Sequence, residues 1–222
     1  METQLLRIDS FTPQRISVRV DPMLRIQGYK DPRRVKPAIR NAAETVAVMA
    51  ERVFVPEVYY RRVRIKSCTD GLLVLETSTA FHSQAFSQFL GGCHQVVVFV
   101  LTLGNKFDQV AQNLTDSGQT LEALFLETAG WLGVEAATKS FAEHLRAVLS
   151  KQGCGLTRRF GPGYTYRSRA DDSEWPLEEQ KSLFALFEDQ AISVQLLDSC
   201  AMIPKMSRSG LYGVRRKASG DE

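Results

Sequence analysis

The sequence predicts an α+β fold with a mixed, mainly antiparallel sheet and flanking helices, because strand-like and helix-like segments alternate without a regular βαβ order. Segments 57–66 and 72–77 alternate apolar and polar residues on either side of the turn residues Asp70 and Gly71, which predicts an antiparallel hairpin. Segment 96–103 is apolar on both faces, which is typical of a central strand covered on both sides.

The composition is that of a folded globular protein. The chain has 222 residues, 44% of them apolar and 24% charged with both signs mixed, so it is long enough to bury a full core. We expect one domain over 1–222, or two intimately packed lobes. The net charge of +3 is too small to indicate a nucleic-acid binder by itself.

Several features predict a cytoplasmic location without a membrane anchor. The longest apolar run, 96–103, is too short to span a bilayer, and the first residues lack a secretion signal. Four cysteines, Cys68, Cys93, Cys154 and Cys200, are widely spaced without a C-x-x-C pair, which favours free, largely buried thiols in a reducing compartment.

In the first half of the chain, alternation at Ile16, Val18 and Val20 predicts a half-buried strand. Asp31-Pro32 then offers a helix cap and a first-turn proline before apolar residues at helical spacing over 35–53, and Pro56 ends that helix. Pro37 must lie in its first turns or kink it.

The pattern continues with a short helix over 82–90, closed by Gly91-Gly92, and a long helix over 120–149. Gly130 and Gly133 within the long helix either allow another element to approach closely or break it in two. Pro176 opens a further helix that runs to Phe187. The later elements are short strands at Val194, Leu196 and Ile203, and an ordered segment over 210–215.

Common catalytic motifs are absent from the sequence. It contains no phosphate-binding loop of the G-x-x-x-x-G-K-[ST] type, no H-E-x-x-H and no G-x-S-x-G, and Arg158 interrupts a G-x-G-x-x-G after Gly153. His82, His94 and His144 are far apart and lack obvious acidic partners, so we expect no metal site and no catalytic histidine. No cobalamin-binding Asp-x-His-x-x-Gly arrangement occurs. Self-contained catalysis is not expected.

A candidate binding motif lies at 159–164. Arg159 can bind a carboxylate through two charge-assisted hydrogen bonds. Gly161 and Gly163 allow the backbone to approach a ligand, Pro162 stiffens the turn, and Tyr164 can stack on a ring or face a cation. Alone, the segment would be better explained as a plain Pro-Gly turn with a surface arginine.

Further motifs follow in a fixed order. The Arg-x-x-x-Gly-Tyr turn precedes a short helix, a Leu-x-x-Ser segment at 196–199, Met-x-Pro at 202–204 and Ser-x-Ser-Gly at 207–210. In this order the motifs resemble the activation (reactivation, AdoMet-binding) domain of vitamin B12-dependent methionine synthase. The detailed resemblance covers about 155–215, and the remainder agrees in general layout.

The resemblance implies a methionine synthase activation domain-like fold that binds S-adenosylmethionine (AdoMet). Arg159 would hold the ligand carboxylate, and Gly161, Gly163 and Tyr164 would line the ligand. Asp9 and Asp21 are candidates for the acid that pairs with its amino group. The cobalamin would be carried by a partner, a methionine synthase or related corrinoid protein, with a flavodoxin-type reductant as a further partner. The chain would thus belong to a methyltransferase system of methionine biosynthesis.

Two alternatives remain open. Basic clusters occur at Arg61-Arg62 with Arg64 and Lys66, at Arg158 with Arg167 and Arg169, and at 215–217. If these shared one face, they would favour an RNA-binding module or docking of an acidic partner. Thr165, where the family has proline, leaves open a scaffold of the same fold without the ligand.

Overall fold

The computed structural model describes residues 8–167 and 172–217, and its centre is a seven-stranded sheet. The strands of the chain are β1 Asp9–Phe11, β2 Glu57–Thr69, β3 Leu72–Leu75, β4 Ala80–His82, β5 Gln95–Thr102, β6 Cys154–Phe160, β7 Thr165–Arg167, β8 Asp172–Glu174, β9 Gln195–Leu196, β10 Met202–Ile203 and β11 Ser207–Arg216. The helices are α1 Val20–Ile26, α2 Pro37–Val53, α3 Gln84–Leu90, α4 Lys106–Asp116, α5 Thr120–Ser150 and α6 Gln180–Ala185.

The strand order is β4-β3-β2-β5-β11-β6, with β1 also paired to β2, and the pairings are antiparallel. This arrangement confirms the predicted α+β class. The β2–β3 hairpin is also confirmed: Asp70 and Gly71 both have positive φ, of 50° and 78°, as the tight two-residue turn requires. The hairpin strand β3 ends at Leu75, two residues earlier than predicted.

Strand β5 is central and buried along its whole length, which confirms the prediction for this segment. Val97, Phe99 and Leu101 point to a core formed with α1, α2, α4 and α5, whereas Val96, Val98 and Val100 point to a second core beneath α3 and α6. Helices therefore cover both faces of the sheet, and β5 contributes apolar side chains to each core.

Helix α5 runs unbroken through its two glycines. A Cβ atom at Gly130 would lie 2.6 Å from Phe107 Cζ, and one at Gly133 would lie 2.7 Å from Phe54 Cε2. Both distances are too short for real atoms, so these glycines permit close packing, one of the two predicted alternatives.

Helix α2 begins at Pro37, and the preceding Pro32–Arg34 forms a separate 3-10 turn capped by the Asp31 side chain. In the later part, a 3-10 turn at Leu177–Glu179 leads from Pro176 into α6, which ends before Phe187.

Some elements differ from the sequence prediction. Ile16 and Val18 are buried as expected, but they lie in extended chain outside any strand, and Val20 begins α1. Helix α4 and strands β1, β4, β6, β7 and β8 were not predicted. The cysteines are free thiols; Cys154 and Cys200 are buried, and Cys68 and Cys93 are half-buried. None of the described helices combines the length and apolar character needed to cross a membrane.

Candidate functional site

A cavity of about 410 Å³ lies beside the start of β11, against one side of α5. Its volume is within the range of small-molecule sites. The lining brings together segments that are far apart in sequence, including three of the predicted motifs. Lining residues come from α5 (Trp131, Val134), the turn after β6 (Pro162, Tyr164), the α6 region (Leu177, Gln180), the β10 region (Cys200, Ala201, Met202) and the approach to β11 (Lys205, Met206, Ser207, Arg208, Ser209).

The turn after β6 is held rigidly by hydrogen bonds within the protein. The Tyr166 hydroxyl accepts from Gly161 N (2.6 Å) and donates to Gly161 O (3.0 Å). Gly163 N donates to Trp175 O (2.7 Å), and Trp175 N donates to Tyr164 O (3.1 Å). Because the N–H groups of both glycines already have partners, these residues contribute space and backbone conformation rather than free donors.

Arg159 is the penultimate residue of β6 and lies behind the cavity wall. Its guanidinium carbon is 5.1 Å from the centre of the Tyr164 ring, and a Cβ at Gly161 would lie 2.9 Å from its Nη1 atom. Nη1 is buried and has no hydrogen-bond partner in the described part of the chain. A buried donor without an acceptor is costly, which makes Arg159 a candidate for binding an anion.

The four predicted binding residues thus form one group, but they contribute differently. Tyr164 lines the cavity directly, and Arg159 lies beneath its ring. Gly161 and Gly163 flank the lining residue Pro162, and Gly163 has a φ of +78°, which favours glycine at that position.

Sequence analysis did not identify the second arginine of the site, Arg208. This side chain is 7% exposed and donates to Glu135 Oε1 (2.6 Å) and Thr138 Oγ1 (3.1 Å), both on α5. The hydrogen bond from Arg208 lowers the pKa of Glu135 from its ordinary value of 4.5, against the opposing effect of burial, and Arg159 lowers it further. Arg208 is the variable residue of the Ser-x-Ser-Gly motif at 207–210, so the sequence indicated this segment but not the arginine itself.

The two early acids proposed from the sequence lie elsewhere. Asp9 is opposite Tyr60 in the β1–β2 pair, and Asp21 pairs with Arg40. Glu135 is the acid that the fold holds beside Arg208 and near Arg159, and its side chain is 48% exposed. Spacing alone could not show this, because Glu135 precedes Arg208 by 73 residues.

One prediction about the histidines was wrong. His82 has an acidic partner, since its Nδ1 lies 2.6 Å from Glu179 Oε1, and Glu179 also accepts from Trp175 Nε1 (2.8 Å). His144 stacks on Phe11, and His94 lies near Arg64 and Arg216. Over 8–167 and 172–217, no group of three or more His, Cys, Asp or Glu side chains is placed to hold a metal ion.

The cavity mouth carries exposed apolar side chains. Trp131 and Tyr164, which line the cavity, are 55% and 48% exposed, and Leu177 is 40% exposed. Ile203, next to the lining residue Met202, is 48% exposed. Grouped exposed apolar side chains of this size indicate a surface that contacts a ligand or another molecule.

No protein-family model matches this sequence, and no curated protein matches it. Among solved structures, the chain is similar to the MetH reactivation domain bound to AdoHcy, with a TM-score of 0.59 and 14% sequence identity. The similarity covers 97% of this chain and 80% of that chain. At this identity the comparison shows the fold, and the chain therefore has the reactivation-domain fold that its motifs predicted.

Proposed function

We propose that this protein is an AdoMet-binding accessory protein that supports reductive methylation, and so reactivation, of a cobalamin held by a methionine synthase or related corrinoid methyltransferase. In this proposal the whole chain, 1–222, acts as one activation-domain-like unit. The observation that carries the proposal is the buried, unpartnered Nη1 of Arg159, behind a cavity built from the motif segments.

The charges at the cavity suit the amino-acid end of AdoMet. Arg208 is paired with Glu135, and the lining residue Lys205 with Glu127, so among the described cations at the cavity Arg159 is the one left to bind the ligand carboxylate. Glu135, whose second carboxylate oxygen has no described partner, replaces Asp9 and Asp21 as our candidate for the ligand ammonium. AdoHcy, which the MetH reactivation domain binds, carries the same amino-acid group.

Tyr164 would have two roles. Its ring lies over the Arg159 guanidinium, so a carboxylate reaches Nη1 only after the ring turns aside. Because the side chain is 48% exposed, it has room to turn towards the cavity and lie against the ligand. Gly161, which lies within close range of both side chains, leaves the space that this movement needs.

Bound AdoMet would supply an activated methyl group, and this chain would orient it and shield it from water. The apolar mouth formed by Trp131, Leu177 and Ile203 suits contact with the surface of the cobalamin-carrying partner. A flavodoxin-type protein is the proposed source of the electron.

Calorimetric titration with AdoMet and AdoHcy tests the ligand. We expect both to bind with a Kd in the micromolar range, about −8 kcal/mol. Binding that stays undetectable at millimolar ligand would contradict the proposal and favour a scaffold of the same fold without a ligand.

The visible spectrum of a candidate partner tests the reaction. We expect conversion of its cob(II)alamin to methylcobalamin when this protein, AdoMet and a reductant are all present. Omitting any one of the three should prevent it, because reactivation needs an electron and a methyl group at the same cobalt.

A further inference from the structure

A second surface, the basic patch, lies at the end of the sheet opposite the cavity. It comprises Arg62, Arg64 and Lys66 of β2 and Arg216 and Lys217 at the end of β11. Arg215 points to the opposite face of the sheet, near Cys93, and is not part of the patch. Arg64 and Val214 both pair with Gln95 of the intervening β5, so the two basic runs flank the beginning of that strand. The cavity lies beyond the other end of β5, where Thr102 pairs with Ser207.

Several contacts confirm that the two runs are close. Arg64 and Arg216 both lie near His94, whose pKa is lowered by burial and then by these two cations. Arg62 Nη1 donates to Gln152 Oε1 (3.1 Å), and Lys217 N donates to Gly153 O (2.9 Å). The third basic cluster is separate: the Arg158 guanidinium lies over Phe89 and Tyr166, and Arg169 is outside the described residues.

The patch is not neutralised by the described part of the protein. None of its five side chains forms an ion pair with a described carboxylate. Glu76 is brought near through its backbone, where its N–H donates to Arg64 O (3.0 Å), but its carboxylate makes no ion pair there. A nearly neutral protein therefore carries a local concentration of positive charge.

The residues around the patch and the spacing of its cations favour one kind of anionic partner. The exposed residues at this end of β2 are all polar: Arg64, Lys66, Ser67 and Thr69. None of the exposed large apolar side chains of the described chain lies at 62–69 or 214–217. A stable protein–protein interface needs a buried apolar centre, whereas phosphate contacts need only cations and hydrogen-bond donors. Arg62 and Arg64, two residues apart on a strand, are about 7 Å apart, comparable with successive phosphates of a nucleic acid.

We propose that the basic patch binds the phosphate backbone of a nucleic acid, without reading its sequence. The patch and the cavity are at opposite ends of β5, so this binding would leave the cavity open. The inference does not depend on AdoMet. The three basic clusters do not share one face, so the inference depends on the two that meet at this end of the sheet.

Fluorescence anisotropy with a labelled 20-nucleotide RNA of mixed sequence tests this proposal. With four or five phosphate contacts, affinity should fall roughly 50-fold to 130-fold between 50 and 200 mM KCl. A DNA of the same sequence and a scrambled RNA should bind within about threefold, because phosphate contacts carry little sequence information. Undetectable binding at 50 mM KCl would overturn the proposal.

Two matched variants localise the binding. Arg64→Glu/Arg216→Glu should weaken RNA binding at least about tenfold and make the salt dependence shallower. Lys139→Glu/Lys181→Glu changes the net charge equally outside the patch and should have little effect. If both variants weakened RNA binding equally, the effect would come from the overall charge, and the basic patch would not be the binding site. AdoMet titration of the same variants, expected to be unchanged, keeps this test separate from that of the proposed function.

Competition with polyglutamate tests the alternative that the patch binds an acidic protein. At equal charge concentration it should displace RNA far less effectively than unlabelled RNA does. If polyglutamate competes as well as RNA, the patch is a general site for acidic proteins and the nucleic-acid proposal is wrong.

Discussion

The hydroxyl of Tyr166 binds both backbone polar groups of Gly161, accepting from N at 2.6 Å and donating to O at 3.0 Å. The contact is buried, and burial raises the pKa of Tyr166 against the opposing effect of the Gly161 hydrogen bond and the nearby arginines, so the hydroxyl remains protonated at neutral pH. It fixes the turn that carries Pro162 and Tyr164 against the cavity. The shape of the site therefore depends on a residue that does not line it.

Tyr166→Phe should lower the free energy of unfolding by about 2 kcal/mol, because it leaves a buried N–H and C=O without their partner. Urea unfolding measures the change. Tyr60→Phe is the matched control, since the Tyr60 ring is also buried but its hydroxyl forms no hydrogen bond within the described residues. Equal stability losses in the two variants would argue against a special role for the Tyr166 hydroxyl.

Arg159→Ala should weaken AdoMet binding by about 2 kcal/mol while the fold is kept, because it removes a charge-assisted contact. Calorimetry measures the affinity, and circular dichroism checks the fold. Arg158→Ala is the control, because Arg158 stacks on Phe89 and Tyr166 instead of Tyr164. Normal binding by Arg159→Ala, or its unfolding, would make Arg159 a structural residue.

Glu135→Gln should reduce stability at neutral pH and flatten its dependence on acid. The folded pKa of Glu135 lies below the ordinary value of 4.5, so its contribution is present above that pH and is lost as pH falls through the lowered pKa. The substitution leaves Arg208, which is 7% exposed, without its anionic partner. Because Glu135 is half exposed, solvent screens the pair, and we expect the free energy of unfolding to fall by about 1 kcal/mol. Urea unfolding midpoints measured between pH 3 and pH 7 test this. If the midpoint of Glu135→Gln depended on pH as steeply as that of the unaltered protein, the prediction would be wrong.

Gly210→Ala should destabilise the sheet by about 3 kcal/mol or prevent folding, because cores tolerate added atoms poorly. A Cβ at Gly210 would lie 2.3 Å from Phe160 O, between β11 and β6. Gly155→Ala places a methyl group on β6 with nothing within 4 Å and should be nearly neutral. Thermal unfolding compares the two, and similar midpoints would contradict the packing argument.

The sequence predicted the elements whose patterns are local. Strand β5 is a continuous apolar run, helix α5 has apolar residues at helical spacing, and the β2–β3 hairpin has its turn residues. Strand β6 was missed because it contains glycine and several polar residues, and its pairing with β11 joins segments more than 50 residues apart. Helix α4 was a different failure, because Phe107 and Leu114 do have helical spacing.

The sequence motifs contain the residues of one wall of the cavity. They did not indicate that α5 forms the opposite wall. Tyr164, which belongs to the Arg-x-x-x-Gly-Tyr turn, is one of the lining residues. Burial of Arg159 beneath the Tyr164 ring, and the pairing of Arg208 with Glu135, depend on tertiary packing between α5 and the sheet. The alternation at Ile16 and Val18 correctly indicated burial, but burial alone does not supply a strand partner.

The close packing of α5 at Gly130 and Gly133 has a thermodynamic consequence. The adjoining Trp131 and Val134 form one wall of the cavity, so that wall cannot separate from the sheet without opening the main core. Cavity and core should therefore melt in one cooperative transition. A ligand at one hundred times its Kd would stabilise that transition by about 2.7 kcal/mol, so heat resistance of the whole fold would report occupancy of the cavity.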